Sequence, residues 1–556
     1  MMCVLLTSSV PAGGAESGNR TAEGRNGMVV SVSPDASAVG CNILKQGGNA
    51  VDAAVATAFA LAVTWPEAGN LGGGGFMLVY PPGGKGEPVI IDYREKAPAA
   101  ATRTMFASGK PIPPVLLVGT PGTVRGLALA HKRFGTLAWK DLLAPAIRLA
   151  EDGFATDSAL ASSLNRVIER SPEFAELRRV YGKDDGKSRW QAGDRLVQPD
   201  LARTLRQIAE QGPDAFYKGA IADLIAAEMK RDDGLITKDD LASYEAKVRK
   251  PIHGTYRGHD VYGPPPPSSG GIVLIEMLNI LENFGLRKSG RFSPDTLHVM
   301  IETMRRAYRD RARYLGDPDF VQVPTFLTGK DYARKLAQSI DLHKATRSEE
   351  LAAEIPLANE SSQTTHFSVI DKEGMAVANT YTLEESYGSR IVVRGAGFLL
   401  NNEMGDFNPR PGVTNRRGLI GTAANEVAPN KRMLSSMTPT IVAKNGKVVL
   451  ITGSPGGRTI INTVLCVVLN VIEFDMPLRE AVDAPRMDHE WFPDALQVER
   501  GLMEEHAALQ ALRDRGHLIK RKPVGQGDAH SIHVDPRSGL YQGAADRRRD
   551  GSAAGW

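Results

Sequence analysis

The chain has 556 residues, 42% of them hydrophobic and 24% charged, with a formal net charge of +3. That length favours a large compact body or several domains over one small core, and the composition excludes disorder and collagen-like repeats. The near-neutral balance predicts no nucleic-acid or anionic-membrane partner, since a run as short as Arg547-Arg548-Arg549 is no electrostatic footprint.

Residues 1–15 resemble an incomplete secretory leader: an apolar start and a small-residue exit at Ala12-Gly13-Gly14-Ala15, without a basic n-region. Cys3, Cys41 and Cys466 allow one disulfide at most, and the latter two lie in apolar, helix-like runs that suit buried thiols. Ser33-Pro34-Asp35 is a helix start, with Ser33 as N-cap, and the helix is expected to reach Lys45. An alanine-rich helix over 50–63 is too short to span a membrane, and its small side chains suit close packing on a sheet.

The loop Gly69-Asn70-Leu71-Gly72-Gly73-Gly74-Gly75 feeds a strand, not a helix, and lacks the Gly-Lys-Ser/Thr ending of a phosphate cradle. It is better read as a tight backbone approach beside a site. A strand over 89–93 delivers Arg94 at its end, placed to clamp a carboxylate; a solvated Arg94–Glu95 pair is the plainer alternative. Residues 122–340 are mainly helical, with helices expected over 142–151, 201–210, 220–231, 272–284 and 294–314. The proline-rich turn 263–271 is expected to be a rigid connector, and 343–363 a polar, flexible segment suited to processing.

At Gln363-Thr364-Thr365 the polar lead-in becomes an alternating strand, which turns at 371–374 and returns over 375–382. That hairpin puts Thr364 opposite Tyr381, Thr382 or Leu383 and so brings Thr382 next to it, with the face open by one residue. Cleavage between Gln363 and Thr364 would give Thr364 a free α-amine beside its hydroxyl, a base and a nucleophile on one residue. A second hairpin, 440–443 with 448–452 across Asn445-Gly446, runs into Gly453-Ser454-Pro455-Gly456-Gly457 and a helix over 460–474. Unpaired N–H groups at such a turn suit an oxyanion hole.

These strings, with Leu400-Asn401-Asn402-Glu403-Met404-Gly405-Asp406-Phe407 and Leu434-Ser435-Ser436-Met437-Thr438-Pro439-Thr440, resemble the γ-glutamyltranspeptidase (glutathione hydrolase) family from about Gly27 to the end. The resemblance implies an α+β fold of the N-terminal nucleophile hydrolase type, a four-layer αββα sandwich. It implies a precursor that cuts itself into a large subunit, 27–363, and a small subunit, 364–556, after a leader or flexible 1–26. Thr364 matches the nucleophile, Thr382 its orienting partner, and Gly456 and Gly457 the oxyanion donors. Arg94, Ser435 and Ser436 match the holders of the substrate α-carboxylate, and Glu403 and Asp406 those of the α-ammonium.

The implied reaction transfers a γ-glutamyl group from glutathione or a related donor, through a threonine ester, to water or to an amino-acid or peptide acceptor. It needs no metal or cofactor. A zwitterionic head group suits this mixture of cation, hydroxyls and carboxylates, and an α-amine of pKa about 7.7–8.0 can take the threonine proton without a histidine. Exported relatives imply a periplasmic or secreted protein. Two departures bear on acceptor choice: Glu384 replaces a substrate-contacting asparagine and adds a third carboxylate, and Arg417 replaces a tyrosine in the lid segment 411–433.

Competing readings are a β-lactam side-chain acylase or poly-γ-glutamate hydrolase of the same type, and an unprocessed scaffold or binding protein. A triad of His366, Ser368 and Asp371 is disfavoured because strand alternation does not fan these groups around one reacting atom. His530 and His533 are expected on opposite faces of a strand, which argues against a shared metal.

Overall fold

The computed structural model describes residues 19–351, 357–358, 363–412, 419–420 and 422–556. Two seven-stranded antiparallel sheets face each other. The first runs in the order Ser552–Gly555, Gly27–Ser31, Gln363–Asp371, Ala376–Glu384, Gly74–Tyr80, Val89–Asp92, Lys247–Arg249. The second runs Thr21–Gly24, Tyr541–Ala544, Ser531–Val534, Lys447–Thr452, Thr440–Lys444, His259–Gly263, Ile252–Tyr256.

Alternation along the first sheet divides the core. Val29, Met77, Val79, Val369 and Val377 join the helices Pro34–Lys45 and Ala50–Thr64 on one face, while Met28, Val30, Phe76, Leu78, Ile370 and Ala378 turn toward the second sheet. Each of these side chains larger than alanine, fully buried, contributes about 1.5–3 kcal/mol of transfer free energy. Helices Gly270–Leu281, Pro294–Tyr314 and Thr459–Val468 cover the second sheet's far side. The layers are helix, sheet, sheet, helix, as the resemblance implied.

Local chemistry fixes the first helices. Ser33 Oγ accepts from Ala36 N at 3.3 Å, and Pro34 opens the helix that ends at Lys45. Asn49 caps Ala50–Thr64 with Asp52 reciprocating at 3.0 Å, and all 15 helix residues are buried. Helices Ala220–Arg231 and Pro294–Tyr314 fall where their periodicity places them. Thr123–Phe134 and Ser158–Arg170 were not foreseen.

One expectation is corrected in part. The beginning of the polar segment 343–363 has no regular structure but is held firmly. Ala345 N donates to Arg515 O at 2.7 Å, Thr346 N to Glu302 Oε1 at 3.1 Å, and Trp491 Nε1 to the carbonyl of the fully buried Ser348 at 2.9 Å. Residues 352–356 and 359–362 lie outside the described residues, as do 1–18 with the leader and Cys3. Cys41 and Cys466 are buried free thiols. Among the described residues no helix is long and apolar enough to cross a membrane.

Candidate active site

The strand Gln363–Asp371 pairs with Ala376–Glu384 in a register that sets Thr365 against Tyr381 and Gln363 against Glu384. Two residues, Thr382 and Leu383, therefore oppose Thr364 alone, and this irregularity re-aims the side chains at the strand's start. Thr364 Oγ1 lies 3.3 Å from Thr382 Oγ1, both nearly buried. Glu384 N donates to the same Thr382 oxygen at 2.8 Å, which orients that hydroxyl. On the other edge, Gly27–Ser31 pairs only with residues 368–371, so the strand's first residues reach beyond that neighbour.

The glycine-rich loop makes the tight approach expected of it. A Cβ on Gly73 would lie 2.0 Å from Thr382 O, and Asn70 Nδ2 donates to that carbonyl at 2.9 Å. Asn70 thus fixes the backbone that carries the orienting hydroxyl. The second hairpin's turn packs against the nucleophile strand: a Cβ on Gly453 would meet the His366 ring at 2.3 Å. Gly456 (φ +132°) and Gly457 (φ +54°) adopt conformations that disfavour other residues, and they lead into the helix Thr459–Val468.

Arg94 leaves its strand into a buried cluster of acids. It is 1% exposed and Glu95 is fully buried, so the solvated-pair alternative fails. Its Nη1 pairs with Glu403 and lies 3.6 Å from Glu95; its Nη2 pairs with Asp406 and donates to Leu434 O at 3.2 Å; its Nε donates to Met433 O at 3.3 Å. The residues expected at the two ends of the head group are thus joined to one another. Burial would depress the guanidinium, but Glu403, Asp406 and Glu95 outweigh it and hold Arg94 charged.

Burial pushes the Glu403 carboxyl well above the usual range against the pull of Arg94, with Glu95 and Asp406 adding to the rise. It does the same to Glu384, where Asp406 and Glu385 add to the effect. Glu384 accepts from Asn402 Nδ2 and holds φ +80°, a conformation that costs a non-glycine residue of the order of 1–3 kcal/mol. One cation among four acids cannot offset all of them, so the buried carboxyls favour their protonated forms.

Burial pushes Glu95 up to about 8, although Arg94 pulls the other way. A carboxyl raised on folding takes up a proton as the chain folds. Its stabilising share is therefore full below the ordinary glutamate value and is lost as pH rises through about 8. Wild type is expected to lose about 2 °C of Tm between pH 6 and 9, and Glu95→Gln to flatten that slope; parallel Tm profiles in thermal unfolding would contradict it.

Ser435 and Ser436 are both buried and follow directly on Leu434, whose carbonyl Arg94 holds. Ser435 Oγ accepts from Met437 N at 3.1 Å, and Ser436 Oγ from Arg311 Nη2 at 2.9 Å. Arg311, Asn70, Asn401 and Asn402 are site residues that sequence reasoning missed. Asn401 Nδ2 ties Gly72 O and Gly119 O at 2.8 Å each, and Asn402 Oδ1 accepts from Glu385 N at 3.1 Å. Both flank Glu403 in a string already singled out, and a side-chain amide between glycine loops was the available signal. Arg417 lies outside the described residues, as do 413–418 and 421 of the lid segment.

The disfavoured triad has a structural role instead. His366 Nε2 and Ser368 Oγ are 3.1 Å apart and fully buried, but Ser368 donates to His530 O at 2.8 Å, while Asp371 accepts from Ala50 N at 2.9 Å. Two members of the basic triplet are likewise held in ion pairs, Arg548 with Glu499 and Asp546 and Arg549 with Glu67, while Arg547 is exposed.

A nucleophile candidate opening a central strand of an αββα sandwich, beside an orienting hydroxyl and a glycine turn, defines an N-terminal nucleophile hydrolase. Residues 36–556 match the family model described as gamma-glutamyltranspeptidase, and the chain belongs to that family. It is 49% identical over 541 residues to the glutathione hydrolase proenzyme of Escherichia coli (strain K12), covering 96% of this chain and 92% of that protein. The cephalosporin acylase of Bacillus halodurans superposes with a TM-score of 0.85 at 29% identity, over 100% of this chain and 99% of the other. The γ-glutamyltranspeptidase of Helicobacter pylori does so with a TM-score of 0.56 at 42% identity, over 61% of this chain and 96% of that one.

Proposed function

We propose that this chain is a proenzyme that cuts itself between Gln363 and Thr364 into subunits 27–363 and 364–556. The product is a γ-glutamyl transferase and hydrolase acting on glutathione and related donors. The observation that carries the reading is Thr364 Oγ1 at 3.3 Å from Thr382 Oγ1, at the start of a strand whose neighbour leads through Glu384 into the Arg94 cluster. Once freed, the Thr364 α-amine takes the proton of its own hydroxyl, and Oγ1 attacks the γ-carbonyl. The oxyanion is received by the backbone N–H groups of Gly456 and Gly457. Collapse breaks the C–N bond, the amine returns the proton to the leaving nitrogen, and water or an acceptor amine then cleaves the ester.

The roles follow the charge distribution. Glu403, Asp406 and Glu384 lie around one guanidinium, and an arriving ammonium favours the ionised forms of the carboxyls that burial holds protonated. Arg94, Ser435 and Ser436 stand at the carboxylate end. The E. coli relative's name supports glutathione as a donor, and a leader-like start in residues 1–26 supports a periplasmic or secreted location.

The likeness to a cephalosporin acylase makes a dicarboxylic side chain without the amine the reading to test against. Assayed with γ-glutamyl-p-nitroanilide beside glutaryl-p-nitroanilide, the processed enzyme is expected to favour the former at least ~100-fold in kcat/KM, about 2.7 kcal/mol for one charge-assisted contact set. Equal rates, or faster release from the glutaryl compound, would transfer the assignment to the acylase reading.

A further inference from the structure

We infer that Arg311 is a positioning residue for the donor α-carboxylate, acting through the hydroxyl of Ser436. The inference rests on the γ-glutamyl reading above and extends it to a residue that touches no substrate.

The need for such a residue comes from Arg94. Its Nε and Nη2 donate to the carbonyls of Met433 and Leu434, and its Nη1 and Nη2 pair with Glu403 and Asp406. A guanidinium has five N–H groups, so little of this one faces an incoming anion. The hydroxyls of the next two residues must supply directed donors.

Arg311 forks over those two residues. It lies on the helix Pro294–Tyr314 and is 1% exposed. Its Nη2 donates to Ser436 Oγ at 2.9 Å, and its Nε to Ser269 Oγ, also at 2.9 Å. Ser269 passes the contact on, donating from both Oγ (2.7 Å) and N (2.8 Å) to Ser435 O. One arm thus fixes the Ser435 backbone and the other holds the Ser436 side chain.

The second arm has a chemical consequence. A hydroxyl has one proton and two lone pairs. With a cationic N–H on one lone pair, the Ser436 proton is turned away from Arg311 and polarised by it, which suits donation to an anion in the cleft. The proline-rich turn takes part as well: Ser435 N donates to Pro267 O at 2.8 Å and Ser268 Oγ to Met437 O at 2.6 Å, so the expected connector is the bed on which the two serines lie.

The test is a double-mutant cycle on processed enzyme, read with γ-glutamyl-p-nitroanilide and its α-carboxamide analogue. Arg311→Met is expected to raise the KM of the carboxylate donor ~10–100-fold with kcat changed less than ~3-fold, and to leave the carboxamide donor within ~3-fold. Ser436→Ala is expected to reproduce most of that pattern, and Arg311→Met on Ser436→Ala to add far less than it does alone, the small remainder being the arm that reaches Ser435 through Ser269. If Arg311→Met stays uncut, Arg311→Lys carries the same cycle, since an ammonium lacks the fork. Additive losses, or equal losses on both donors with an active wild type, would reduce Arg311 to a structural residue. A wild type that turns over neither donor would overturn the γ-glutamyl reading and this inference together, a pattern distinct from the other two.

Discussion

Thr364→Ala is expected to purify as one uncut polypeptide without γ-glutamyl turnover, whereas wild type separates in intact-mass analysis into fragments meeting at Gln363 and Thr364. In the proposed mechanism one oxygen serves both reactions. In the precursor, the Thr364 nitrogen is an amide and cannot act as base, so Oγ1 attacks the Gln363 carbonyl with Thr382 Oγ1, 3.3 Å away, as the nearest orienting group. The C–N bond breaks as the C–O bond forms, the nitrogen gains the proton, and water then hydrolyses the ester to release residue 363 as a carboxylate and Thr364 as a free amine. Alanine has no oxygen for either event. Thr364→Ser keeps one and should process slowly. Thr382→Val removes only the orienting group and should slow processing ~100-fold or more, within the range that a positioned proton-transfer partner supplies. Wild type that remains one chain, or an alanine variant that is cut at the same bond, would remove Thr364 from the mechanism.

The hairpin behind this prediction was legible because strand pairing is local. Once the turn is placed near 371–374, counting puts Thr364 opposite Tyr381, Thr382 or Leu383, and the structure decides among them by setting Tyr381 against Thr365 and leaving Thr382 and Leu383 opposite Thr364. Ser33 and Pro34 were legible for the same reason, since a cap is written within four residues. What was not legible depends on distant segments. The solvated Arg94–Glu95 pair stayed open as an alternative because nothing in the neighbourhood of Arg94 shows that Glu403 and Asp406 arrive from more than three hundred residues away to pair with it. Thr21–Gly24 and Ser552–Gly555 hold between them one β-branched residue, Thr21, and no aromatic one, and become strands because neighbours supply their hydrogen bonds. Thr123–Phe134 starts after Gly122 with no side-chain cap, so its first turn is fixed by Gly73 O accepting from Thr123 N at 3.0 Å and not by its own sequence. Arg311 looked like one more charge on a long helix; its value lies in two serine loops that no helix periodicity reports.

Asp406→Asn and Glu403→Gln are expected to lower kcat/KM for the γ-glutamyl donor ~10–150-fold each, since a hydrogen bond to a charged group contributes about 1.5–3 kcal/mol. The two should differ in how the loss is divided. Asp406 is the more exposed acid, with 15% of its side chain accessible against none of Glu403. Its amide variant should act mainly on KM, by removing a carboxylate that meets the ammonium directly. Glu403 is fully buried against Arg94, so Glu403→Gln also changes the contact that seats that guanidinium and shifts the Leu434 carbonyl it holds. A fall in kcat and a loss of thermal stability should therefore accompany its rise in KM. The glutaryl donor separates ammonium binding from general damage to the site. It has no amine to lose, so both variants should narrow the γ-glutamyl preference, Asp406→Asn with little effect on glutaryl turnover itself. Unchanged kcat/KM in both variants would show that the acids around Arg94 shape the protein and do not bind the substrate.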